Sequence, residues 1–319
     1  MRSTTRGTKK AAVAVAFGTL ALVAAACSSN SSSSTTTTAA APSTTATTVP
    51  IPTTVIPTQP TNAAIAATVP AKIASAGSVT VAMDATYPPN EFIAPDGSTI
   101  VGMDADLSNA ILQTLGLKAK LTNATFDTII PGIVAGKYGM GASSFTDTLA
   151  RQKVVDFVDY FNAGEGFYTK TGSTLTFNGL VSLCGHSVAV ESGTTEETDA
   201  KAQSAKCTVA GKPKVNVLSF STQSEANLAV SSGRADVGFA DSPVAAYIVA
   251  TSNGVFQNSG SSVNNAPYGL ALPRGNGMAA PVAAAVNALI ANGVYSQILT
   301  KWGVQSGAIS TATVNGATS

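Results

Sequence analysis

Histidine, tryptophan and cysteine are scarce in this chain, with one, one and three among 319 residues. His186 stands alone, and Cys27, Cys184 and Cys207 are far apart, so no tight Cys/His cluster offers a metal site. No nucleophile–histidine pairing is evident, and no cofactor is expected. Charge is thin as well, at 11% of residues. Arg2, Arg6, Lys9 and Lys10 precede Cys27 and no acidic residue does, so removing that stretch leaves 14 of 18 basic side chains against 17 acidic ones. A net charge of about −3 gives nucleic acid no electrostatic footing. No apolar run after residue 26 is long and unbroken enough to span a membrane as a helix. The Walker A pattern is missing, so the sequence shows no P-loop for a nucleotide phosphate.

What is present begins with a basic start, an apolar run from Ala11 to Ala26, and Cys27. Residues 1–26 read as a secretory signal. Val23-Ala-Ala-Ala-Cys27 resembles a bacterial lipobox, although leucine is not at the third position before the cysteine. That resemblance implies lipidation of Cys27; an ordinary signal with an incidental cysteine is the alternative. Two acyl chains anchor a protein where one holds it only marginally. From Ser28 to about Pro70 the chain is rich in Ser, Thr, Ala and Pro, without charge or aromatic residue. Such a segment buries too little surface to offset ordering entropy, so residues 27–74 are expected to form a disordered tether. Cys184 and Cys207 are expected to pair as a disulfide in an exported chain, with two buried free thiols as the alternative.

The folded part is expected from about Ser75 to Ser306, long enough for two lobes. Val79–Met83, Lys118–Leu121 and Tyr138–Ala142 read as strands. Asp104–Leu115 and Phe126–Ala135 have helical apolar spacing and end at glycines. This βαβαβ order predicts a mostly parallel sheet flanked by helices. A similar alternation restarts at Ser187, and the chain closes with helices over Met278–Ala291 and Gly293–Gly303. Ligands of open α/β sheets bind beyond the strands' carboxyl ends, near helix amino termini.

Candidate chemistry gathers around Ser143-Ser-Phe-Thr-Asp-Thr-Leu-Ala-Arg151. The guanidinium of Arg151 presents a rigid fork that fits a carboxylate, and Ser143, Ser144 and Thr146 add hydroxyls. The plainer alternative pairs Arg151 with Asp156 or Asp159. Gly193-Thr-Thr-Glu196 opens a helix. Thr194 and Thr195 offer hydroxyls there, and Glu197 stands three residues after Thr194 as in a capping box. Asp241 ends a strand, where it can meet an ammonium or cap the next helix. Tyr87 and Phe126 can flank an aliphatic side chain, and Asp84 can receive its tip or bond the local turn.

As a set these motifs resemble family 3 of the bacterial extracellular solute-binding proteins, the polar amino-acid receptors of ABC importers. The resemblance covers nearly all of residues 77–304. It rests on Tyr87-Pro-Pro-Asn-Glu-Phe92, Gly102-Met-Asp-Ala-Asp-Leu107, Phe126-Asp-Thr-Ile-Ile-Pro131, Ser143 through Arg151, Gly193-Thr-Thr195, Gly233 through Asp241 and Lys301-Trp-Gly303. It implies a two-lobed, type II periplasmic-binding-protein-like α/β fold with two hinge crossings. Lobe 1 would take residues 75–165 and 272–306, lobe 2 residues 166–271, and 307–319 would form a flexible tail.

By the same resemblance, Arg151 holds an α-carboxylate, assisted by Ser144, Thr146 and Thr195. Asp241 and Ser144 hold an α-ammonium, Tyr87 and Phe126 flank the side chain, and Asp84 helps read its tip. Glu196 stands where the family often has glutamine. Together with Asp84 it disfavours an acidic ligand and weakly favours a basic or amide side chain. The implied protein is not an enzyme. It is a monomer, lipid-anchored on the extracytoplasmic membrane face, that passes a free amino acid to permease subunits served by a separate ATPase. A secreted cyclohexadienyl-type dehydratase and an amino-acid-sensing surface receptor are the rival readings.

Overall fold

The structure, a computed structural model, describes residues 51–318. The signal segment 1–26, Cys27 and the first part of the expected tether lie outside the described residues.

The elements follow in chain order. Two short helices, α1 (Ala63–Ala66) and α2 (Ala71–Ala76), precede β1 (Ser78–Met83). Next come β2 (Thr86–Tyr87), β3 (Glu91–Ile93), β4 (Ile100–Val101), α3 (Met103–Thr114), β5 (Lys118–Asn123), α4 (Phe126–Val134) and β6 (Met140–Gly141). A single helical turn at Arg151–Lys153 leads into the long β7 (Val155–Lys170). The chain continues through β8 (Ser187–Glu191), α5 (Thr195–Val209), β9 (Asn216–Phe220), α6 (Gln223–Ser231), β10 (Val237–Asp241), α7 (Ser242–Thr251) and β11 (Phe256–Asn258). It returns in β12 (Val263–Pro273) and ends with α8 (Ala279–Ala291) and α9 (Val294–Trp302).

One sheet runs through both lobes in the order β5-β1-β6-β12-β7-β10-β8-β9, with β11 beside β7. Within each lobe the outer strands are parallel: β5, β1 and β6 on one side, β10, β8 and β9 on the other. Between them β7 and β12 run antiparallel to each other and to their neighbours. Strand β7 belongs to both halves. Its residues up to Glu165 pair with β12, while Glu165 through Tyr168 pair with β10. β12 already lies opposite Glu165 at Val263, so the return strand starts about ten residues before the Leu272 boundary drawn from sequence. A register shift between Val263 and Ala266 marks where it bends.

Lobe 1 buries Val81, Met83, Leu107, Ile111, Val286 and Ile298 between the sheet and α3, α8 and α9. Lobe 2 buries Phe167, Val188, Val190, Val237 and Phe239. Cys184 and Cys207 form a disulfide there, with Cα atoms 5.7 Å apart.

Two sequence expectations are corrected. The stretch 51–74 is not a free tether. Ile56, Ile65 and Ile73 pack on the lobe 1 core, the Gln59 amide donates to Gln113 Oε1 at 2.8 Å, and the Asn62 amide donates to the Thr114 carbonyl at 2.9 Å. Isolated isoleucines among prolines and threonines carry no periodicity, so only tertiary contact reveals them. The tail 307–319 is likewise tied down through Asn315. The Asn315 amide donates to the Phe157 carbonyl, and its Oδ1 accepts from the Phe157 amide at 2.7 Å. Thr313 Oγ1 donates to Asp159 at 2.7 Å, and Ala312 is buried.

Candidate functional site

The strand ends of both lobes meet at a cleft. The geometry of β1, β6, β8 and β10 delivers the loops after them to that cleft from opposite sides, and α4 and α5 point their amino termini into it. The chain crosses it in direct contact. Thr146 Oγ1 lies 3.3 Å from Thr195 Oγ1, the Gln223 amide donates to Thr86 Oγ1 at 3.3 Å, and Arg151 Nη2 donates to the Gly193 carbonyl at 2.9 Å. A Cβ at Gly193 would lie 3.0 Å from that of Asp127, so the lobe 2 turn sits flush on α4. The lobes are closed on each other.

Arg151 lies beside Thr146, Gly193 and Thr195 between the lobes. Nη1 donates to the Thr146 carbonyl at 2.7 Å, and the guanidinium carbon lies 5.5 Å and 5.6 Å from the Phe126 and Phe145 ring centres. It makes no ion pair with Asp156 or Asp159, so the plainer sequence alternative does not hold. Burial pulls its pKa down, opposed by Glu196 and Asp241 nearby. A half-buried guanidinium with N–H groups to spare can receive an anion.

Opposite it, Thr194 caps α5: its Oγ1 accepts from the Glu197 amide at 3.1 Å. Glu197 reaches back to the Gly193 amide at 2.9 Å, one residue earlier than a standard capping box. Thr195 presents its hydroxyl to the cleft. Glu196 is buried, and among the described residues its Oε1 has no hydrogen-bond partner. Desolvation pushes its pKa up, in spite of Arg151. Asp241 occupies the N-cap position of α7 but makes no side-chain capping bond, leaving its carboxylate for the cleft. Burial, then Glu196 and Glu165, push its pKa well up.

Three expected ligand contacts turn away from the cavity. Ser143 Oγ accepts from the Asp84 amide at 2.8 Å and donates to Glu91 Oε1 at 2.9 Å. Ser144, at a φ of 51°, directs its amide to Asp104 Oδ2 at 2.8 Å, and its Oγ accepts from Asn90 Nδ2 at 2.9 Å. Both hydroxyls serve a buried carboxyl pair, Glu91 and Asp104, whose pKa values burial raises. Asp84 is also occupied. Its Oδ1 accepts from Thr86 Oγ1 at 2.7 Å and its Oδ2 from the Phe126 amide at 3.0 Å, which caps α4 from a distance. Tyr87 and Phe126 are not parted as a sandwich. Their rings meet edge-on, 5.9 Å apart.

Between the lobes lies a small chamber lined by Tyr87, Glu191, Thr194, Glu196, Gln223 and Asp241 among others. Glu191 is the residue that sequence reasoning missed. It is the last residue of β8 and only 1% exposed, and among the described residues neither carboxylate oxygen has a hydrogen-bond partner. The signal was available: Ser187–Glu191 is a short apolar strand, and Glu191 stands at its carboxyl end, the place where cleft residues occur.

Residues 79–305 match the model for bacterial extracellular solute-binding proteins, family 3. The chain belongs to this family. It is similar to the arginine-binding protein ArgT of Corynebacterium glutamicum, at 35% identity over 240 residues, covering 75% of this chain and 78% of that protein. It is also similar to the ABC transporter glutamine-binding protein GlnH of Bacillus subtilis, at 28% identity over 213 residues, covering 65% and 74%. Among solved structures it resembles an ancestral arginine-binding protein bound to arginine, with 34% identity and a TM-score of 0.65, covering 71% of this chain and 98% of that one. Family membership makes this an extracytoplasmic solute-binding protein, and the closed two-lobed cleft is where family and geometry converge.

Proposed function

We propose that the chain captures a free amino acid with a cationic side chain, arginine foremost, and hands it to the permease subunits of an ABC importer. One observation carries this reading: the cleft has one guanidinium, Arg151, and three carboxyl groups lining the chamber, Glu191, Glu196 and Asp241, with Asp84 behind them. A zwitterion's two α-groups balance Arg151 and one carboxylate. The carboxyls that remain can ionise against a second positive charge, and they offer an acidic side chain no cation to pair with. The names of ArgT and of the arginine-bound ancestral protein support the same choice.

In this reading Arg151 holds the α-carboxylate, with Thr146 and Thr195 completing its cradle, and Asp241 holds the α-ammonium. Thr194 fixes the turn that carries Thr195. Tyr87 and Phe126 form one wall. Ser143, Ser144 and Asp84 position the lobe 1 loop rather than the ligand. A ligand that satisfies Arg151 and Asp241 together bridges the lobes and stabilises the closed form. The protein acts as a monomeric binder, not as a dehydratase. Lipidation at Cys27 and the residues that follow would keep it near the permease and raise its effective concentration there.

The test is a thermal-shift panel of all twenty amino acids plus ornithine and citrulline, on protein stripped of carried ligand. Arginine at about 100 times its dissociation constant should raise the melting temperature by about 5 to 10 °C, and glutamate and aspartate should leave it unchanged. A largest shift from an acidic or apolar amino acid would overturn the proposal.

A further inference from the structure

Four carboxyl groups stand at or just behind the cleft wall, and three have other employment. Asp84 Oδ1 and Oδ2 accept from Thr86 and from the Phe126 amide. Glu196 accepts from Thr195 Oγ1 at 3.3 Å and is within the field of Arg151. Asp241 is also within the field of Arg151, at the end of the cleft where the α-groups would bind. Glu191 differs from all three. It is buried at the end of β8 in lobe 2, lines the chamber with Tyr87 and Gln223, and pairs with no cation among the described residues. Neither oxygen makes a hydrogen bond within 3.5 Å among the described residues, although the Tyr87 hydroxyl and the Asp84 carboxyl stand near.

We infer that Glu191 is the residue that selects the ligand's side chain, receiving a guanidinium tip bidentately from lobe 2. This rests on the reading of the cleft as a basic amino-acid site, and assigns the tip to Glu191 instead of Asp84. Two free, coplanar oxygens match the fork of a guanidinium better than the point charge of an ammonium. The assignment also couples side-chain charge to closure. The wall formed by Tyr87 and Phe126 belongs to lobe 1, so a tip held by Glu191 ties the side chain to both lobes.

A proton linkage follows. Without a cation, burial and the nearby Asp84 push the Glu191 carboxyl up to about 10, so at pH 7 it is protonated. An arriving guanidinium favours the carboxylate and expels that proton to solvent. A neutral tip leaves it in place.

The experiment is calorimetric titration of the chain from Ser28 onward, stripped of ligand, as wild type and as Glu191→Gln. Arginine, lysine and citrulline, the neutral isostere of arginine, are titrated at pH 7 in two buffers of different ionisation enthalpy. Wild type should bind arginine at least about 100-fold tighter than citrulline, with lysine between, and release about one proton per arginine. Glu191→Gln should weaken arginine by about 100-fold, leave citrulline within about threefold, and abolish the buffer dependence. Citrulline binding that survives shows that the variant is folded. An arginine-to-citrulline ratio unchanged by Glu191→Gln, or an unchanged proton release, overturns the assignment to Glu191 while leaving the basic amino-acid reading intact. A folded wild type that binds none of the three overturns both.

Discussion

Arg151 and Gly193 meet across the cleft, the guanidinium donating from Nη2 to the glycine carbonyl at 2.9 Å. The residue proposed to anchor the α-carboxylate is thus already bonded to the opposite lobe. Closure and the proposed anion capture share one side chain, and two of its donors are spent on carbonyls rather than on a carboxylate partner.

Arg151→Ala should therefore reduce amino-acid affinity by about 100- to 1,000-fold, because it leaves a buried ligand carboxylate without its cation. Arg151→Lys should recover part of that loss, since it restores charge but not the fork. Melting of the ligand-free protein should change by no more than about 2 °C in either variant, as only two bonds to carbonyls are lost. Calorimetry and thermal melts measure both.

Gly193→Ala should open the cleft. Its φ of +82° is a left-handed conformation, and the new Cβ would lie 3.0 Å and 3.1 Å from Asp127 Cβ and Cα. Affinity should fall by about tenfold, from a penalty of about 1 to 2 kcal/mol on the closed form. Small-angle scattering should show a ligand-saturated variant more extended than the wild type.

The two α/β lobes were legible because each parallel strand and its following helix carry their own periodicity. Val79–Met83, Asp104–Leu115 and Ala235–Phe239 are plain in the chain. The positions of Arg151, Thr195 and Asp241 at the cleft were legible because strand ends and helix starts face it. Burial on both faces gives β7 no alternation to read, and its role in both lobes is a tertiary fact. The turning away of Ser143 and Ser144 depends on Glu91 and Asp104, more than thirty residues distant, which no local pattern links to them.

Stability of the ligand-free protein should fall as pH rises from about 5 to 9. Burial first, then neighbouring carboxylates, push Glu165 up to about 9 and Glu191 up to about 10. Both groups are raised above their unfolded value of about 4.3, so folding favours their protonated form. That contribution is complete below the unfolded value and lost as pH rises through the folded values. Asp159, raised by burial to about 6, adds to the decline at its acidic end. Melting temperatures across this range should decline, and the decline should be shallower in Glu191→Gln and Glu165→Gln. A flat profile shared by all three proteins would contradict the assignment.

Trimming the chain to begin at residue 72 should lower its melting temperature by about 5 °C relative to a chain beginning at residue 51, through loss of the Ile56 and Ile65 packing and the bonds to Gln113 and Thr114. Equal melting of the two chains would mean that this segment contributes nothing to the fold.

The central claim is that an excess of carboxylates around a single guanidinium selects a cationic amino acid. Calorimetric titration of the stripped wild-type protein with arginine and with glutamate, side by side at pH 7, tests it most directly. Arginine should bind at micromolar or tighter dissociation constant, with glutamate at least about 1,000-fold weaker. Glutamate binding as tightly as arginine would contradict the account.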